Sequence, residues 1–139
     1  MRLKLFLITF LTVFYISAQE DSSYKLYLDS SKSHIDRLND LMSRMTLEDK
    51  VYQMNQFVGL DHMRKAEKDL SPEDLVNNDA QGFYKGVFSN DVMKMTQEGK
   101  IGSFLHVLTA EEGNLLQELA NESRLKIPIL IGIDAIHGN

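Results

Sequence analysis

The feature that most constrains this chain is the run Ile127-Pro128-Ile129-Leu130-Ile131-Gly132-Ile133, almost continuously apolar, which ends abruptly on Asp134. A run without polar alternation is the pattern of a strand buried on both faces of a parallel sheet. Pro128 stands near its beginning, where a strand tolerates a missing N–H. Parallel neighbours need a crossover connection, and the sequence upstream supplies one. Ile101 to Leu105 is a short apolar run suited to a strand. Thr109-Ala110-Glu111-Glu112 has the spacing of a capping box, and Leu115, Leu116, Leu119 and Ala120 follow at helical steps toward a basic end at Arg124 and Lys126. Strand, helix and strand within about thirty residues make a βαβ unit with a right-handed crossover. The predicted fold class is therefore α/β.

Helix signals dominate the residues before that unit. Ser33-His34-Ile35-Asp36 is spaced as a capping box, and Ile35, Leu38, Leu41, Met42 and Met45 recur on one helical face. Thr46-Leu47-Glu48-Asp49 repeats the start signal at once, which implies a break near Met45 and a second helix carrying Leu47, Val51, Met54 and Val58. The methionines read as adaptable core filler. Ser89 or Asn90 can cap a further short helix with Val92, Met93 and Met95, and Gly99 sits where a left-handed C-terminal cap is expected. Between these lies the least informative stretch, Asp61 to Asn90. Ser71-Pro72-Glu73 looks like a helix start and Asn77-Asn78-Asp79 like a turn. The adjacent aromatics Phe83 and Tyr84 between two glycines receive no function.

Composition removes whole classes of chemistry. With 15 Lys and Arg against 20 Asp and Glu, the net charge of −5 argues against a sequence-independent nucleic-acid binder. The absence of cysteine removes disulfides, thiolate nucleophiles and cysteine-ligated zinc together. No G-x-S-x-G elbow, phosphate-binding loop or dinucleotide fingerprint is present, and His34, His62, His106 and His137 form no H-E-x-x-H pair. No metal and no cofactor is predicted.

The N-terminus reads as a targeting segment. Arg2 and Lys4 precede an uncharged stretch from Leu5 to Ile16, and small Ala18 stands where a signal peptidase cuts. That stretch is too short to cross a hydrocarbon core, which needs about 20 apolar residues. Residues 1–18 are therefore expected to be a cleaved secretory signal, leaving an exported, periplasmic or extracellular chain with no membrane anchor. Residues 19–32 form a polar N-terminal arm.

Asp134 follows the last strand directly, at the edge of a parallel sheet where ligands bind. A carboxylate there can accept sugar hydroxyls, act as a base or ligate a metal; equally, it can cap the next turn through its own main chain. His137, three residues on, reads as a hydrogen-bonded structural residue.

Three stretches resemble family 3 glycoside hydrolases, the exported β-glucosidases and exo-glucanases. Leu41 to Met54 (LMSRMTLEDKVYQM) resembles that family's N-terminal signature, Gly99 to Phe104 (GKIGSF) its first barrel strand, and Ser123 to Gly138 (SRLKIPILIGIDAIHG) its second strand and loop. The resemblance implies that residues 33–139 are the N-terminal portion of a (β/α)8 TIM-type barrel, with an insertion at 61–90. It also implies a retaining enzyme acting on terminal, non-reducing β-linked glucose, with β-linked glucosides or oligosaccharides as the partner. The family's nucleophile and acid/base both fall beyond Asn139, so no catalytic residue is expected here. The sugar-binding role of the aspartate in its D-A-[IV]-H-G loop carries over to Asp134. A barrel of this kind needs roughly 250 residues, so the missing C-terminal part of the same barrel is itself an expected partner. The alternative is a non-catalytic secreted helical module whose βαβ end is only a packing unit.

Overall fold

A computed structural model of the chain describes residues 24–69, 71, 73, 74 and 86–135. The proposed signal at 1–18, the aromatic pair Phe83-Tyr84 and His137 lie outside the described residues. The chain divides after Arg44 into two compact units.

The first unit holds a 3-10 turn at Leu26–Leu28 and helix α1 at His34–Arg44. Ser33 caps α1 as its spacing predicts: the Asp36 N–H donates to Ser33 Oγ at 3.1 Å. The preceding arm is fastened to the side of α1. The Tyr27 N–H donates to Asp40 Oδ2 at 3.0 Å, and Arg37 Nε donates to the Tyr27 carbonyl at 2.9 Å. Arg44 lies 5.9 Å over the Tyr27 ring and also donates to Asp40 and to the Tyr24 carbonyl. These bonds bury Tyr27, while Ile35, Leu38 and Met42 stay exposed on the helix.

The second unit is a three-stranded parallel sheet with helices between its strands. Its elements run α2 (Leu47–Tyr52), β1 (Gln56–Val58), α3 (Leu60–Asp69), α4 (Ser89–Gln97), β2 (Ser103–Leu105), α5 (Ala110–Glu122) and β3 (Leu130–Gly132). The strand order is β1-β2-β3, and both pairs are parallel. The mixed helix and parallel-strand architecture agrees with the predicted α/β class. The two strands read from the sequence are, however, the second and third of the sheet.

The unforeseen first strand corrects the helical reading of residues 47–58. Thr46 and Asp49 form both halves of their capping box, but the helix ends at Tyr52. Gln56, Phe57 and Val58 then pair with Ser103, Phe104 and Leu105. A three-residue segment has too little periodicity to announce itself, and its strand character comes from the β2 backbone alongside it. Helix α4 likewise begins one residue earlier than a Ser89 or Asn90 cap requires. Phe88 is the N-cap, its N–H bonded to Asp91 Oδ2 at 3.0 Å, and Ser89 is held through both its N–H and its hydroxyl by Glu67 of α3. Gly99 does terminate α4 in the left-handed region, with its own N–H on the Thr96 carbonyl and that of Lys100 on Met95.

Phe57, Phe104 and Ile131 share one register row and face the helices. Phe104, Leu60, Met63, Val92, Ile101 and Leu116 are fully buried in the core between sheet and helices. Gln117 of α5 pins the approach to β3 by exchanging two hydrogen bonds with the Ile129 main chain, at 2.8 and 3.1 Å.

The expectation that the Ile127–Ile133 run is buried on both faces is not met. Leu130 is 73% exposed and Ile131 43% exposed. Among the described residues the helices cover one face of the sheet only, so Leu130, in the other row, has no second layer to enter, and Ile131, on the helix side, is left half-exposed by the edge position of β3.

At the opposite end of β2 the sheet is stitched to the turn after α2. The Gly102 and Ser103 N–H groups both donate to the Asn55 carbonyl, at 3.1 and 3.2 Å, and a Cβ on Gly102 would stand 2.1 Å from the Gln53 carbonyl oxygen. That oxygen is main chain and must move with its whole turn. Gly102→Ala is expected to cost about 3 kcal/mol, the upper end of overpacking penalties, and to lower Tm by roughly 10 °C or more; calorimetry of the variant checks this.

In the first unit, Asp29 accepts hydrogen bonds from the Ser31 hydroxyl and N–H and from Tyr24, at 2.7, 2.9 and 2.6 Å. The Ser31 hydroxyl first, then Tyr24, hold its carboxyl down to about 2 from the ordinary 3.8. The folded carboxyl is the stronger acid, so its stabilising contribution is whole above pH 3.8 and is lost as the pH falls toward about 2. An NMR titration is expected to find the Asp29 midpoint near 2 with the Ser31 amide moving alongside; a midpoint at the ordinary value would mean the turn does not form.

Candidate functional site

Every strand of a parallel sheet points its carboxyl end the same way, so the loops after β1, β2 and β3 meet along one edge. Here those loops hold Gly59, His106 and Asp134. Backbone bonds extend the ladder past the strand ends and tie the loops together. The Gly59 N–H donates to the Leu105 carbonyl at 2.8 Å, and the His106 N–H donates to the Gly132 carbonyl at 2.9 Å.

His106 pays for this placement with its backbone, taking φ +60°. Left-handed conformations cost a non-glycine residue about 1–3 kcal/mol, although histidine enters the region more readily than most. The turn at His106 directs the chain from β2 into the first turn of α5, where Thr109 is the N-cap and its hydroxyl accepts the Glu112 N–H at 3.2 Å.

Only half of the predicted Thr109–Glu112 capping box forms. The Glu112 carboxylate, in a residue 4% exposed, turns away from its own helix, and its Oε1 accepts the Asp61 N–H at 3.1 Å. Asp61 lies in the first turn of α3, so one buried carboxylate belongs to α5 by chain and caps α3 by hydrogen bond. The positive end of the α3 dipole favours a carboxylate there. Gly59 makes the arrangement possible. A Cβ at that position would stand 2.7 Å from the His106 carbonyl oxygen and 2.8 Å from Glu112 Oε1.

Between the first turns of α3 and α5 opens a cavity of about 440 Å³, walled by Asp61, His62 and Lys65 on one side and His106, Leu108 and Thr109 on the other, with Glu112 at its base. Among the described residues no cluster of His, Asp and Glu has the arrangement of a metal site.

Asp134 stands two residues past β3 on this same edge, and it is exposed. Its carboxylate accepts no hydrogen bond from another described residue. The cavity residues were not foreseen in the sequence. His62 and His106 look scattered in the chain because they are 44 positions apart; only recognition of β1, and hence of Gly59 as the junction between β1 and α3, would have joined them. Neither unit contains a described helix long and apolar enough to cross a membrane.

No family model matches the chain. It is similar to a protein of Aspergillus flavus named probable beta-glucosidase C, at 30% identity over 120 residues, and to one of the same name from Aspergillus oryzae, at 29% over 123 residues. The matched regions are 86% and 88% of this chain but 18% of each relative, so the chain spans about a fifth of their length. The likeness supports a glycosidase-related segment.

Glu112→Ala removes the acceptor of the half-buried Asp61 N–H bond and is expected to destabilise by about 1 kcal/mol, whereas Glu112→Gln retains an acceptor oxygen and should cost less. Chemical denaturation gives the two stabilities. Hydrogen exchange at the Asp61 amide should accelerate in the alanine variant, and an unchanged rate would mean that the α3 cap does not depend on Glu112.

Proposed function

We propose that the chain is the N-terminal segment of an exported, retaining glycoside hydrolase of the family 3 type, acting on terminal non-reducing β-D-glucosyl residues. The likeness to two proteins named as probable β-glucosidases supports the reading, as does the resemblance of Leu41–Met54, Gly99–Phe104 and Ser123–Gly138 to family 3 stretches. On this reading the three parallel strands are the opening strands of a (β/α)8 barrel, whose carboxyl edge carries the chemistry. The observation that carries the reading furthest is Asp134, an exposed carboxylate standing just past β3 at that edge.

A retaining mechanism uses two carboxyl groups about 5–5.5 Å apart, one attacking the anomeric carbon and one protonating the leaving oxygen. The resemblance assigns neither role to a residue within this chain. Asp134 is assigned to binding: an ionised carboxylate accepts hydrogen bonds from two adjacent sugar hydroxyls and fixes the ring for attack. Hydrogen bonds to a charged group contribute about 1.5–3 kcal/mol each.

Titration of the chain with cellobiose, followed by NMR, tests the assignment. Chemical-shift changes are expected at Gly132 to Ala135, and Asp134→Ala should weaken that response about tenfold or more. An unaltered response in the variant would return Asp134 to capping its own turn. Export makes a separate prediction: N-terminal sequencing of the secreted protein should begin at Gln19, whereas an N-terminus at Met1 in the mature protein would mean that 1–18 is not a cleaved signal.

A further inference from the structure

We propose that the cavity between α3 and α5 is a second carbohydrate subsite, separate from Asp134, which holds a neutral hexose ring through His62, His106, Thr109 and Asp61. The inference rests on the glycosidase reading for its ligand class, but its geometry does not involve Asp134. A volume of about 440 Å³ lies within the range of small-molecule sites, about 300–1,000 Å³. The cavity opens at the carboxyl edge of β1 and β2, the edge of the sheet past which Asp134 follows β3.

The wall chemistry selects the ligand class. The imidazoles of His62 and His106 each present a donor and an acceptor, and Lys65 and the Thr109 hydroxyl donate, the latter because its oxygen already accepts the Glu112 N–H. Asp61 contributes an acceptor. Asp61 is paired with Arg64 Nη1 at 3.5 Å, so with Glu112 and Lys65 the wall carries no net positive charge to hold a phosphate or a carboxylate ligand. With no metal-binding cluster among the described residues, a cation is poorly served as well. A ring bearing several hydroxyls, each both donor and acceptor, matches alternating donors and acceptors of this kind. Leu108, 73% exposed at the wall, supplies an apolar surface for the C–H face of such a ring.

Two features show that this wall is built rather than incidental. His106, on the wall, takes φ +60° while its N–H is bonded to the Gly132 carbonyl at 2.9 Å. Glu112, nine-tenths buried, fixes the first turn of α3 from beneath, and with it Asp61. The wall is thus assembled from two consecutive strand-to-helix junctions tied by the bonds from the Gly59 N–H to Leu105 and from the Asp61 N–H to Glu112.

The test is an NMR titration of the chain with methyl β-D-glucoside and with cellobiose, with inorganic phosphate as the anion control. Amide and imidazole resonances of His62, His106 and Thr109 are expected to shift with both sugars and not with phosphate. His62→Ala, at an exposed position of α3, should weaken that response at least fivefold, and His106→Asn, which keeps a residue tolerant of the left-handed region, should do the same. Asp134→Ala should leave the cavity response in place. Shifts confined to Gly132 to Ala135 would overturn this inference and leave the functional reading standing. A cavity response with no effect of Asp134→Ala on any resonance would support the inference and remove Asp134 from binding. Saturation by phosphate in place of the sugars, or no response at the cavity to either sugar, would overturn it.

Discussion

Parallel pairing governs this structure. Two parallel strands cannot be joined by a tight turn, so each pairing forces the chain to cross from one end of the sheet back to the other. Between β1 and β2 the crossing includes α3 and α4, and between β2 and β3 it is α5. Each return lays an amphipathic helix on the same face, where Phe57, Phe104 and Ile131 wait in one register row. The crossings also bring three carboxyl ends to one edge, so Gly59, His106 and Asp134 become neighbours in topology though they lie far apart in sequence.

Within that frame, the edge is organised by backbone contacts more than by side-chain packing. Gly59 lets the β1 loop approach the His106 carbonyl and the Glu112 carboxylate more closely than any side chain would permit. The approach matters because Glu112 is buried and needs a strong donor, and the first turn of α3 has N–H groups without helical partners. One hydrogen bond satisfies both needs. Together with the bond from the Gly59 N–H to Leu105, it ties the two junctions to each other beside the cavity.

The sheet is covered unevenly. Helices bury the row of Phe57 and Phe104, whereas Leu130 and Gln56, in the alternate row, face outward. An uncovered parallel face is unusual, because such sheets normally carry layers on both sides. In a closed barrel that face lies inside, filled by side chains from the other strands. The apolar character of Leu130 is thus in keeping with the proposed barrel.

The amino-acid sequence alone determined what is local. The Ser33 cap, the full Thr46–Asp49 box, the break between α1 and α2, the Gly99 stop and the strand character of Leu130 to Gly132 each depend on residues within a few positions of one another, where spacing is the cause. Tertiary structure decided whatever depends on distant partners. Residues 56–58 carry a helical spacing and become a strand because β2 offers them a ladder. Glu112 has the position of a capping-box acid and bonds instead to an amide 51 residues away. His62 and His106 meet across a cavity that neither loop contains by itself. Short-range hydrogen bonds are encoded by spacing, but a buried carboxylate or a three-residue strand goes wherever the folded chain presents the better partner.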